Sequence, residues 1–311
     1  MATYVVTGAT GFLGSAVIEA FRKRGDQLIV ASRQRPPEHE LDWLHFDLRD
    51  HGTFAALIEA RPKGIVHLAW SSTPAIADRD VTADLATNVG GTVALLQHLA
   101  DIPETVVVFA SSGGTVYGPA DTLPIPESHA LRPISFYGRG KASAEHYGSL
   151  FRARDGLDFR VARISNPYGA SQSQAKLQGA VPIFARKIIA GEEIVIWGDG
   201  GIVRDYLHVE DAAAGLLSVL DLQRQPAEHV PVYNLGSRIG TTLLELIELL
   251  GSILGTEPKI VFQPERSFDV RANILDTDKI KRDTGWGPAI SLREGLTQTV
   301  QRLFDEMGRA R

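Results

Sequence analysis

The 311-residue sequence contains no cysteine. Disulfides, thiolate metal sites and a cysteine nucleophile are thereby excluded. Basic tracts are also missing, and the net charge is −5. Without a clustered positive footprint, a general nucleic-acid or membrane-surface role has no electrostatic basis. No apolar window approaches the length of a bilayer span, and no internal repeat or low-complexity tract interrupts the chain. The nine histidines show no metal-ligand spacing. The first residues run straight into an apolar strand, with no basic region or processing site of a leader. A soluble, cytoplasmic protein is the expectation. At 44% hydrophobic and 22% charged residues, the chain has the composition of a globular protein with a sizeable core.

What the sequence does have is alternation. Strand-like apolar runs fall at 4–7, 28–32, 44–46, 65–69, 106–111 and 159–164, with helical patterns at 14–24, 53–61, 85–100 and 141–155. Near-continuous apolar strands between helices predict an α/β fold, a Rossmann-type doubly wound parallel sheet. After about residue 166, prolines and glycines break the rhythm, and helices follow at 243–254 and 292–307. The expected division is a dinucleotide-binding domain at 1–165 plus about 207–238. A smaller C-terminal substrate-binding lobe would take about 166–206 plus 239–311.

Two local patterns carry chemistry. The chain opens Val5-Val6-Thr7-Gly8-Ala9-Thr10-Gly11-Phe12-Leu13-Gly14. A glycine turn between strand and helix lets a pyrophosphate approach the backbone, and the helix beginning near Phe12 offers free N–H groups and a positive dipole end. The G-x-x-G-x-x-G spacing is wider in its first gap than the G-x-G-x-x-G fingerprint. Further on, Tyr137 and Lys141 stand one helical turn apart. A phenol titrates near ~10 in water, and an ammonium held close favours the phenolate. Such a base could take a proton from a sugar hydroxyl while a nicotinamide takes the hydride. The second strand ends Val30-Ala31-Ser32-Arg33. An NAD site usually has an acid there. Ser32 and Arg33 suit a ribose phosphate instead, which favours NADP slightly over NAD.

Gly8 to Gly14, the run Ser111-Ser112-Gly113-Gly114-Thr115-Val116-Tyr117-Gly118 and the Tyr137/Lys141 pair together resemble the extended short-chain dehydrogenases/reductases. The resemblance is to the sugar-nucleotide epimerase/dehydratase branch typified by UDP-galactose 4-epimerase. Runs from Arg163 to Gly169, Trp197 to Gly200 and Val203 to Asp211 extend it along nearly the whole chain. It implies that Tyr137 is the base and that Lys141 lowers its pKa and holds the nicotinamide ribose. Related epimerases often carry a catalytic serine where this chain has Gly113, so Ser112 or Thr115 must supply the hydroxyl, or backbone and water do. Related dehydratases place an Asp-Glu pair here; Gly113, Gly114 and Thr115 provide no carboxylate, so dehydration is not expected.

The resemblance also implies cofactor contacts from Thr10, Phe12 and Leu13 beside the glycines, from Asp47 and Leu48 at the adenine, and from Leu68, Ala69 and Trp70 along the nicotinamide ribose. Asn88 and Ser111 complete that set, though Asp47 could equally cap the following helix. Asn166 and Gln178 would meet the sugar nucleotide, and Arg204 and Arg266, with Asp269, the diphosphate and ribose. Trp197 would lie near the uracil. His208 is expected to be a satisfied structural histidine. The partner is a nucleotide-diphosphate sugar, UDP-linked by resemblance. A homodimer would form through helices 85–100 and 141–155, using Leu95, Leu96 and Leu99 on one and Tyr147, Leu150 and Phe151 on the other. The expected activity is a 4-epimerisation through a transient 4-keto sugar. An NADPH-dependent reductase of a nucleotide-linked 4-keto sugar is the alternative, and a catalytically silent NADP-binding regulator is a third reading.

Overall fold

A computed structural model of the chain describes residues 2–36, 41–169, 179–265 and 270–309. The apolar runs of the first half form β1 (Thr3–Thr7), β2 (Gln27–Ser32), β3 (Asp42–His45), β4 (Gly64–His67), β5 (Val106–Ser112) and β6 (Asp158–Ile164). The chain then leaves this sheet through β7 (Asn166–Tyr168), β8 (Glu193–Trp197) and β9 (Val203–His208), and returns as β10 (Val232–Leu235). The result is a seven-stranded parallel sheet of order β10-β6-β5-β4-β1-β2-β3. Three further strands, β11 (Gly240–Thr242), β12 (Lys259–Gln263) and β13 (Ala272–Asn273), lie outside it. β11 and β13 flank β9, and β12 pairs with β8.

Successive strand residues face opposite sides of the sheet, and each side carries its own core. Val6 and Val108 join Val17, Phe21 and Leu216 under the helices Phe12–Arg24 and Val209–Asp221. Val5 and Phe109 join Leu95, Leu96, Leu99 and Phe159 under Gly91–Leu99 and Phe136–Asp155. A third cluster, with Tyr168, Ile194, Leu246 and Leu296, lies off the sheet. Strand order runs outward in opposite directions from β1 and β4. That reversal opens a crevice at the carboxyl ends of the strands, where doubly wound folds bind ligands.

Two acids of the Val203–Asp211 run hold the returning chain. Asp205 is fully buried and accepts hydrogen bonds from Ser237 N and Oγ, both at 2.7 Å, and from Leu275 N at 3.1 Å. Burial pushes its carboxyl up, and these bonds oppose the shift. Asp211 accepts from Ala289 N and Ile290 N, each at 3.0 Å.

Three expectations are corrected. The helix at 85–100 is interrupted: Leu85–Gly90 is a wider π-turn, and the regular helix resumes at Gly91. Gly91 packs so tightly on Leu48 that a Cβ there would lie 2.5 Å from Leu48 O. The stripe Leu95, Leu96, Leu99 faces the sheet, not a partner, and Phe151 is buried with it. Outward-facing apolar groups are instead Leu85, Tyr147 and Leu150. Finally, the helix expected at 141–155 begins at Phe136, because Ser135 caps it by accepting from Gly138 N at 3.1 Å. Among the described residues no helix is long and apolar enough to cross a membrane.

Candidate active site

The glycine turn sits at the strand-order reversal. Gly8 has φ +68°, and a Cβ there would lie 2.6 Å from Ala69 N, so only glycine lets the loop after β1 pass against the loop after β4. Gly14 is closed in by the backbone of Ala9. Gly11 starts the helix and has no side chain to cap it, and a helix N-terminus with its positive dipole end is a place where an anion can sit. Thr10 is exposed on the same turn.

At the far end of β2, Ser32 is buried and its hydroxyl is committed. It donates to Gln34 O at 2.7 Å and accepts from Trp43 Nε1 at 3.1 Å. Only Arg33 of the expected phosphate-binding pair is exposed. Asp47 does not cap the following turn; Asp50 does. Asp47 instead binds Arg49 at 2.6 Å, and this bond, with smaller help from the Arg33 charge, pushes its carboxyl down to about 2. Leu48 is buried in the core below. Leu68, Ala69 and Trp70 follow β4 directly, and Ala69 N donates to Thr7 Oγ1 at 3.2 Å. Asn88 is buried and braces the next residues. Its amide oxygen takes Ser71 N at 2.7 Å, and its amide nitrogen donates to Ser72 Oγ at 3.1 Å and Asp84 Oδ1 at 2.7 Å.

Tyr137 lies half-buried in the first turn of its helix, its ring edge-on to Trp70 at 6.2 Å between centroids. Burial, and next the Asp84 carboxylate, push the phenol up to about 12. Lys141 does not lower it in this arrangement. The Lys141 ammonium donates to Ala110 O at 2.8 Å and lies 3.9 Å from the Trp70 centroid, against 5.9 Å from that of Tyr137. Burial pushes Lys141 itself down to about 7, with Glu145 and Asp84 opposing. One face of the helix thus presents Tyr137, Lys141 and Glu145 in succession.

The loop after β5 completes the site. Ser111 is buried and donates to Glu145 Oε1 at 2.5 Å, so it anchors the helix. Gly113 is walled in: a Cβ would lie 2.5 Å from Leu275 Cδ1, and Gly113 O accepts from Asn273 Nδ2 at 3.0 Å. A serine at 113 therefore needs Leu275 to move. Ser112 is half-buried. Thr115 Oγ1 is buried and has no hydrogen-bond partner among the described residues, and the Thr115 carbonyl packs against Gly138, next to Tyr137.

The sequence pattern of the NAD dependent epimerase/dehydratase family matches residues 4–236. The chain belongs to that family. It is 33% identical to UDP-glucose 4-epimerase of Thermotoga maritima, solved with UDP-glucose, with a TM-score of 0.90 over 98% of this chain and 99% of that one. Against UDP-glucose 4-epimerase of Thermus thermophilus, solved with NAD, identity is 29% and the TM-score 0.86, over 97% of this chain and 99% of that one. A dTDP-4-dehydro-6-deoxyglucose reductase of Escherichia coli is 29% identical over 96% of each chain. The uncapped helix and the glycine that only a close backbone pass explains both fit the dinucleotide in the family's name.

The residues expected on the substrate side of this epimerase/dehydratase-family chain are less assembled. Asn166 donates to Asp205 O at 3.1 Å, with its amide oxygen near Gly114. Arg204 donates to Val203 O and Val270 O at 2.9 and 2.8 Å, so it braces the segment after 269. Trp197 is 39% exposed at the end of β8. Gln178, Arg266 and Asp269 lie outside the described residues. His208 is buried edge-on to Tyr168, but neither ring nitrogen has a hydrogen-bond partner among the described residues, so it is not the satisfied histidine expected.

Sequence reasoning missed Asp84, Glu145 and Arg163. Arg163 donates to Glu145 Oε2 at 2.6 Å and to Tyr117 OH at 2.9 Å. The Tyr117 hydroxyl passes the chain on to Asn234 Oδ1 at 2.7 Å. Glu145 had a signal, four residues after Lys141, and Arg163 opened a run that carries the resemblance although no role was read from it; Asp84 had none within its own segment.

Proposed function

We propose that the chain is an NAD(P)-dependent sugar-nucleotide 4-epimerase acting on a UDP-linked hexose through a transient 4-keto sugar. The juxtaposition beside the glycine turn of Tyr137, Lys141 and a Thr115 hydroxyl with no partner among the described residues carries this reading. The bound dinucleotide would supply the acceptor and donor of a hydride. Tyr137 Oη, acting as the phenolate, takes the proton of the sugar's C4 hydroxyl and later returns it. Lys141 Nζ has protons free to hold ribose hydroxyls and, drawn toward them, would bring its charge to the phenol. Thr115 Oγ1, or Ser112 Oγ on the same loop, orients the reacting hydroxyl. Asn166 and Arg204 line the nucleotide side, with Arg266, Asp269 and Gln178 proposed to join them. A preference for NADP rests on Arg33 alone, since the Ser32 hydroxyl is committed. Leu85, Tyr147 and Leu150 would form the homodimer face, tested by light scattering at micromolar concentration.

The E. coli relative's name supports a second reading, reduction of a nucleotide-linked 4-keto sugar, and the high phenol pKa suits proton donation to a ketone. Incubation with a panel of UDP-, GDP- and dTDP-sugars tests both. Turnover with no added reductant supports the epimerase. Stoichiometric loss of NADPH on a 4-keto sugar supports the reductase, and inactivity across the panel sinks both.

A further inference from the structure

Lys141 is buried, and a buried ammonium needs compensation. Among the described residues no carboxylate pairs with it. The Glu145 oxygens are taken by Ser111 and Arg163, and Asp84 Oδ1 by Asn88. Its hydrogen bond to Ala110 O engages one of three ammonium protons. The remaining surroundings are aromatic: the Trp70 centroid at 3.9 Å and that of Phe109 at 4.8 Å. An indole face is the strongest of the aromatic cation acceptors. Trp70 is held there from several sides. Its ring meets Tyr137 at 75° and contacts Phe109 at 6.0 Å between centroids. A Cβ at Gly140 would lie 3.2 Å from Trp70 Cζ2, so the helix carries no side chain where the ring packs. Asn88 fixes the residues that follow it.

We propose that Trp70 is the positioning residue for Lys141: its indole face holds the buried ammonium in place of a carboxylate, at the carboxyl end of β5. A carboxylate would claim the remaining ammonium protons with directed bonds. An aromatic face stabilises the charge without claiming them, so they stay available to hydroxyl ligands. The inference rests on the Tyr137/Lys141 chemistry proposed above and adds a residue to it.

Two substitutions separate the face of the ring from its bulk. Trp70→Phe keeps a π face; Trp70→Leu keeps apolar volume without one. Titrated with NAD, the Phe variant should stay within about threefold of wild type, and the Leu variant should bind roughly ten- to thirtyfold more weakly. Equal affinities in the two variants would overturn the proposal by making Trp70 a filler.

A second readout needs no activity. Subtracting the emission of Trp70→Phe from wild type isolates Trp70 from the other three tryptophans. Among the described residues, the titratable groups facing Lys141 are Tyr137 and Glu145 on its own helix, Asp84, and His67 on β4. Burial pushes His67 down to about 3, so it stays neutral across the range. Trp70 emission should change as rising pH removes the Lys141 charge, and Lys141→Met should abolish the change. A flat wild-type profile, or a change that survives Lys141→Met, would overturn the contact. The expected emission together with no turnover on any sugar nucleotide would keep the Trp70–Lys141 contact and remove the functional reading instead.

Discussion

The helix Phe136–Asp155 and the strand β6 run side by side, and each end of the pair contains buried charge. At the end away from the glycine turn, Arg152 and Arg160 share Asp158, each at 2.6 Å, and all three side chains are 1–2% exposed. Every direction is used: Arg152 also donates to His229 O and Gln225 O, and Arg160 to Val219 O and Leu220 O. Burial alone would raise the Asp158 carboxyl, but Arg160 and Arg152 outweigh it and hold its pKa below the usual range. At the other end, Lys141 has one hydrogen bond and no carboxylate, Tyr137 is pushed up, and Thr115 Oγ1 and Trp70 Nε1 have no partner among the described residues. Buried charge that is fully paired anchors a fold; buried charge left partly paired is available to a ligand. The Glu145–Arg163 pair lies between the two regimes, anchoring the helix that carries Tyr137 and Lys141.

The largest effect should come from Tyr137→Phe. Turnover should fall by a factor on the order of 10²–10⁴, as for loss of a general base, while thermal stability and cofactor affinity stay close to wild type. Steady-state kinetics beside a melting curve check this. A large loss of stability would mean that the reactive end is also an anchor.

Asp158→Asn should do the reverse. Leaving two buried guanidiniums without their anion should destabilise by about 3–5 kcal/mol in a denaturant titration. Activity per folded molecule should survive. Intact stability in this variant would break the contrast at its stronger end.

Lys141→Met sharpens the contrast because the sign of its stability effect is opposite. The folded-state pKa of Lys141 is depressed to about 7. Its contribution is therefore present above the ordinary lysine pKa and is lost as pH falls through about 7. Removing the charge should raise stability at pH 6 by ~1–3 kcal/mol and change little at pH 10, while cofactor affinity and turnover fall. Unfolding curves at the two pH values decide it; a variant less stable than wild type at pH 6 would show that Lys141 is fully compensated.

The smallest effect belongs to an exposed charge. Arg33→Ala should weaken NADP binding about tenfold, near 1.4 kcal/mol, and leave NAD affinity and stability unchanged. Calorimetric titration of both cofactors measures it. No change for NADP would make Arg33 a solvated loop residue and leave NAD as the natural cofactor.

Local spacing made the glycine turn, the alternation of strands and helices, and the Tyr137–Lys141 pair legible, since each is a pattern within a few residues. The commitment of Ser32 was not, because Trp43, which holds it, lies 11 residues on and on the neighbouring strand. Ser111 looked like a cofactor contact until its partner Glu145, 34 residues away, came within hydrogen-bond distance. Leu95, Leu96 and Leu99 carried a stripe that suits a partner or a sheet equally; only packing shows which one they meet.

By itself, then, the sequence determined the parallel α/β fold, the place of the glycine turn and the pairing of a phenol with an ammonium on one helix. These follow from periodicity and from the backbone freedom of glycine, both written locally. Tertiary structure alone decided where the Lys141 charge rests, that Asp84 opposes ionisation of Tyr137, that Leu275 fills the space beside Gly113 and that the Thr115 hydroxyl meets no partner among the described residues. Those outcomes depend on burial and on distances between segments far apart in the chain, and electrostatics in a buried site is set by the groups that surround it rather than by the residues beside it in sequence.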